Sequence, residues 1–156
     1  MIQSIDLSAL DELDARLDKL LKEAPELRKD LHEELADMAK KQVDQQIVED
    51  IKDPSGKVRG WQEKHVGSKG GYASIRPIST SQPGVKYGPA AITAAINRGH
   101  KIRRPKEFKE GYRARIHTPY VDEIPFYQHS LPEIEAEAIK IGQEFVEKMA
   151  KKIGGG

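Results

Sequence analysis

The sequence predicts an α+β fold in which N-terminal helices and a long C-terminal helix pack on a mainly antiparallel β-sheet with long loops. Three observations on the 156-residue chain carry this. Apolar residues recur at helical spacing at both ends, while the middle is punctuated by glycine and proline between short alternating runs. Charge divides along the same boundaries. Residues 1–50 carry a net −7, residues 51–118 a net +11 and residues 119–156 a net −3.

Ser8 opens the first periodic segment, with Leu10, Leu13, Leu17, Leu20 and Leu21 at helical spacing and acids gathered in the early turns. Pro25 interrupts it. Proline is tolerated in a first helical turn, so a second helix is expected to start near Pro25 and to run through Leu27, Leu31, Leu35, Met38, Val43 and Ile47 to about Asp50. Both leucine stripes read as packing faces, against the core or a neighbouring subunit.

From Asp53 the texture changes to Asp-Pro-Ser-Gly and then Gly60, Gly67, Gly70 and Gly71, the signature of strands joined by turns. Tyr72, Ser74, Arg76 and Ile78 alternate with Ala73, Ile75 and Pro77 as in a half-buried strand. Pro77 cannot donate to a ladder and pushes this strand to an edge, where it invites pairing with another chain. Residues 79–88 read as a loop. Pro89 to Asn97 is a short apolar helix bearing Ile92 and Ile96, stopped by Gly99 and short enough to be buried. Further strands are expected at Arg113–Thr118 and Tyr120–Tyr127.

The last helix, expected over 130–153, is the best marked. Ser130-Leu131-Pro132-Glu133 reads as a capping box with proline in the first turn, and the apolar stripe is Ile134, Ala138, Ile141, Phe145, Met149 and Ile153. Lys151 and Lys152 suit its C-terminal dipole end. Phe145 is expected to be buried against the sheet or a neighbouring subunit. One domain accounts for the whole length: a helical region 1–50, sheet and loops 51–127, and the last helix with its glycine tail 128–156.

Composition excludes several classes. With no cysteine there is no disulfide framework, thiol nucleophile or thiolate metal site, which suits assembly in a reducing cytoplasm. No stretch approaches the roughly 18 apolar residues of a membrane span, and the acidic N-terminus lacks a signal peptide's basic and apolar regions. Mean hydropathy is −0.66, polar for this length, so part of the nominal surface is expected to become interface in an assembly.

Tests for chemistry come out against an enzyme. His32, His65, His100, His117 and His129 show no i, i+4 pair and no HExxH, so neither a metal nor any other cofactor is expected. There is no Gly-x-Ser-x-Gly elbow, and Gly67-Ser68-Lys69-Gly70-Gly71 lacks the order of a phosphate-cradling loop. The interface or DNA-channel candidates are Arg98, His100, Lys101, Arg103, Arg104, Lys106 and Lys109, a basic stretch interleaved with Phe108 and Tyr112. Such a stretch meets phosphates and stacks bases, or pairs with acidic regions of a neighbouring subunit. Trp61, after a Ser-Gly turn, is the remaining candidate, as a core anchor or an interface anchor.

The order of these features resembles the small tail-component or neck-protein family of long-tailed phages, related to the minor tail protein Z type. The resemblance is carried by the turn Asp53-Pro54-Ser55-Gly56-Lys57-Val58-Arg59-Gly60-Trp61, by Tyr87-Gly88, by Ala95-Ile96-Asn97-Arg98-Gly99-His100-Lys101-Ile102-Arg103-Arg104-Pro105, and by Ile124-Pro125-Phe126-Tyr127 before the last helix. Ser55 stands where the family has threonine and Val58 where it has leucine. The resemblance implies a non-enzymatic structural virion protein, a neck, head–tail joining or tail-completion component that acts as a ring subunit with six-fold or twelve-fold self-association. The partners it implies are other neck, head-closure and tail-tube or tail-terminator proteins, with non-specific contact to DNA in the channel and none to a membrane. The competing reading from the residues is a non-specific nucleic-acid-binding module using the basic 98–115 segment, recognisable by strongly salt-dependent binding.

Overall fold

The computed structural model describes residues 8–68, 71–79, 86–101 and 120–154. It is α+β: α1 (Ser8–Ile51), α2 (Lys57–Gly60), β1 (Gln62–Val66), β2 (Ala73–Pro77), α3 (Pro89–Arg98), β3 (His100–Lys101), β4 (Tyr120–Val121) and α4 (Phe126–Gly154). Among the described residues the sheet is smaller than expected. It consists of two separate antiparallel ribbons, β1–β2 and β3–β4, the latter pairing His100 with Val121 and Lys101 with Tyr120. Of the strands expected further on, 113–118 lies outside the described residues, and the one over 120–127 stops at Val121 because the chain turns helical at Phe126.

Two helix boundaries depart from expectation. Pro25 starts no second helix: α1 runs unbroken for 44 residues with Pro25 inside it. Proline removes one backbone donor there, but the apolar positions Leu20, Leu27 and Leu31 keep the 7- and 4-residue spacing of a single face across it. At the other end, α4 begins at Phe126, so the sequence read as a capping box lies within the helix. Ser130 caps nothing; its hydroxyl donates to the Tyr127 carbonyl at 2.8 Å. Phe126, fully buried, and Ser130 are four residues apart on one face, and burying that face extends the helix by a turn past the local signal.

The described chain forms two compact units. Unit one comprises 1–39, 64–75 and 133–156; unit two comprises 40–63 and 76–132. Nearly all of the fully buried side chains belong to unit two: Val43 and Ile47 of α1, Val58 of α2, Phe126 of α4, and five polar residues, Asp53, Gln62, Thr93, Asn97 and Ser130. In unit one, among the described residues, Ala36 is the one buried side chain, beside the buried backbone of Gly67. Phe145 is half-buried there rather than enclosed.

Candidate interaction surfaces

In unit two the turn after α1 is built around a carboxylate. Lys52 and Asp53 take positive φ values of 65° and 20°, a conformation that costs a non-glycine residue energy and is repaid here by Asp53. Its Oδ2 accepts the backbone N–H of Arg59 at 3.0 Å and Arg59 Nε at 3.3 Å, and its carbonyl accepts the Gly56 N–H at 3.0 Å. Gly56 sits at φ 66°, the left-handed region that favours glycine. Burial opposes ionisation of Asp53, but the hydrogen bonds from Arg59 and Val58 outweigh it and hold the carboxyl below its usual range. The Asp53–Trp61 segment is therefore an Asp–Arg clamped turn leading into α2.

A second network joins β1, α3 and the start of α4. Gln62 Nε2 donates to the Val58 carbonyl at 3.0 Å and to Thr93 Oγ1 at 3.3 Å, while its Oε1 accepts the Tyr127 hydroxyl. Asn97 Oδ1 accepts the Tyr127 N–H at 3.4 Å, and the Ile124 N–H donates to the Ile96 carbonyl at 2.9 Å. Burial pushes the Tyr127 phenol up to about 12, so it stays a donor at neutral pH. No buried polar side-chain atom among the described residues lacks a partner. Thr93 and Asn97 are buried where Ile92 and Ile96, expected inside, are half-exposed, so α3 turns its polar i, i+4 pair toward the core. That pair, in a helix otherwise of alanine and isoleucine, is the signal that sequence reasoning passed over. Beside this network, His129 Nδ1 lies 2.8 Å from Asp50 Oδ2, whose other oxygen accepts Gln46 Nε2 at 3.0 Å.

The basic candidates divide. Arg98 ends α3 exposed, and its carbonyl accepts the Tyr120 hydroxyl at 3.0 Å. His100 and Lys101 are exposed on β3. Gly99, between Arg98 and His100 at φ 69°, has the Tyr120 hydroxyl and the Val121 carbonyl so close that a Cβ would meet both at 2.6 Å, so only glycine fits at this junction. Arg103, Arg104, Lys106 and Lys109 lie outside the described residues. Trp61 is half-buried at the end of α2; its N–H bonds back to Lys57 and its carbonyl accepts the Ile78 N–H at 2.8 Å. The structure thus places His100 and Lys101 on one small ribbon and Arg98 at the end of the helix that leads into it.

Unit one presents an open apolar groove instead of a closed core. A cavity of about 460 Å³ is walled by Leu20, Leu27, Leu31 and Ala24 of α1, Gly71, and Phe145 and Met149 of α4, with Arg28 and His32 at its rim. The same unit carries ion pairs: Lys64 meets Asp37 at 2.6 Å and Glu33 at 3.3 Å, and Lys152 meets Glu23 at 3.3 Å. The two carboxylates raise the Lys64 pKa, Asp37 the most. Among the described residues no group of three or more histidine, aspartate or glutamate side chains has the arrangement of a metal site, and no helix is long and apolar enough to cross a membrane. Compared with known proteins, the chain matches no family, no curated protein and no solved structure.

Proposed function

We propose that this protein is a structural, non-enzymatic subunit of a phage or prophage particle, working as a ring component of the neck, in head–tail joining or tail completion. The observation that carries the reading is the order of its motifs along an α+β frame. The Asp53–Trp61 turn, α3 running into the Gly99 loop and the Phe126-Tyr127 step into a long last helix follow one another in the order that the neck-protein family has them. Physical features support the same role. An open leucine-walled groove, short two-stranded ribbons and acidic ends flanking a basic middle are surfaces that neighbours around a ring use.

In this reading Arg98, His100, Lys101 and the cations that follow face either the acidic helix of the next subunit or DNA in the channel. The experiment is complementation of a phage lacking the protein with a variant carrying Lys101→Ala, Arg103→Ala and Arg104→Ala. Separate heads and tails in place of joined particles is the expected outcome; normal joining and infectivity would remove the segment from the mechanism. Electron microscopy of the purified protein tests the assembly itself, with closed six-fold or twelve-fold rings expected. A monomer that instead binds DNA with steep salt dependence would support the nucleic-acid-binding alternative.

A further inference from the structure

Helix α4 carries a second apolar stripe, apart from the one that faces the groove. Ala136, Ile139, Gln143, Val146 and Ala150 follow a 3- and 4-residue spacing and lie within about 80° of arc at 100° per residue. All five are exposed, Ile139 at 61% and Val146 at 65%, the most exposed large aliphatic side chains among the described residues. Gly142 borders the stripe. A Cβ built on it meets nothing within 4 Å, so packing within the chain does not require a glycine there, although glycine weakens a helix interior. What its missing side chain does permit is close approach of another backbone.

The charges bordering the stripe indicate the occupant. Residues 133–139 contain three glutamates and no base, whereas 147–154 contain three lysines and one glutamate. A parallel copy would set like ends side by side. An antiparallel copy, with its two-fold axis at Gln143, sets Glu133 opposite the second copy's Lys151 and Lys140 opposite its Glu144 and Glu147, each pair occurring twice. The same register seats Ile139 beside the second copy's Val146, and brings the two Gln143 amides together at the axis, where a polar seam position fixes alignment.

We propose that the Ala136–Ala150 face of α4 docks antiparallel on the same face of a second copy of this chain. The contact is isologous and closes at two copies, so it differs from the heterologous contacts that build a ring, and it does not rest on the ring reading. The helix length involved is about 20 Å, which places the interface at the small end of specific contacts and makes the association concentration-dependent.

Sedimentation of the full chain over a concentration series tests this. Below the concentrations at which rings close, the mass is expected to rise from 17.5 kDa toward twice that value. Val146→Glu should weaken association by about tenfold or more, by burying an unpaired charge in the seam. Glu133→Lys should weaken it too, and adding Lys151→Glu should restore it. Because the chain has no cysteine, single introduced thiols report the geometry even where a charged variant fails to fold. Gln143→Cys should cross-link two copies on mild oxidation and Ala136→Cys should not. A mass that stays at 17.5 kDa at every concentration, a folded Val146→Glu chain that dimerises like the parent, or equal cross-linking at the two positions would overturn the proposal.

Discussion

The two units of this chain solve the problem of a small core in opposite ways. Unit two closes on itself: aliphatic side chains from α1 and α2 and the ring of Phe126 are buried there, and its buried polar groups are paired through Gln62, Asn97, Asp53 and Ser130. Unit one holds nearly all of the leucines of the chain yet, among the described residues, encloses little, and leaves apolar side chains lining a groove. The lesson is that an apolar stripe read from a sequence gives a direction for packing, not the identity of what packs on it. In unit two the partner is within the unit; in unit one, on our reading, much of it belongs to another molecule.

The sharpest break between the units is expected at their phenylalanines. Phe126→Ala should cost about 3–5 kcal/mol in denaturant unfolding, the usual range for emptying a packed aromatic site. Phe145→Ala, on a half-buried groove wall, should cost the isolated chain only about 1–2 kcal/mol, since less apolar area returns to water. Equal costs would mean that unit one is closed as tightly as unit two.

Asp53→Ala should come next, at about 1–3 kcal/mol, because it leaves the Arg59 N–H and guanidinium without their acceptor. The clamp also has a pH signature. Asp53 has a lowered folded-state pKa, so its stabilisation is fully present above the ordinary carboxylate value of 3.8 and is lost as the pH falls through the lowered value. Thermal melts between pH 6 and pH 2 should show acid destabilisation that is smaller in Asp53→Ala.

Tyr127→Phe should cost about 1 kcal/mol by removing the donor to Gln62. In the parent the raised phenol pKa works in the alkaline direction. The stabilisation is complete below the unfolded value of 10 and disappears as the pH rises through about 12, and the phenylalanine variant should lack that loss. The smallest effect is expected from Lys101→Ala with Arg103→Ala and Arg104→Ala, since exposed charges contribute about 0–1 kcal/mol each. A melting temperature close to the parent's would be expected, and collapse of the fold would show that these cations are paired inside the subunit.

These contrasts follow what the residues made legible. The α+β class and the existence of the long terminal helices could be read because their apolar periods run for many turns, and α3 because Pro89 and Gly99 bracket it. Boundaries failed where a local signal met a tertiary demand. Ser130-Leu131-Pro132-Glu133 has the composition of a helix start, but burial of Phe126 and Ser130 moved the start upstream. The polar core was hidden for a different reason: Gln62 finds Thr93 across 31 residues and Tyr127 across 65, and neither partnership leaves a trace in local spacing. Of the candidate site, Arg98, His100 and Lys101 were identified by charge and lie exposed at the end of α3 and on β3, whereas the groove of unit one needed coordinates, since its walls come from α1 and α4, more than a hundred residues apart.

Amide hydrogen exchange on the free chain and on the chain in its assembled state tests most directly whether unit one is left open for a partner. In the free chain, amides around Val43–Ile47 and Phe126–Ser130 should exchange only on global unfolding, and those around Leu20–Leu31 and Ile141–Met149 faster by local opening. On assembly the second group should gain protection while the first stays unchanged. Equal protection of both groups in the free chain, or no gain around Leu20–Leu31 and Ile141–Met149 on assembly, would contradict the account.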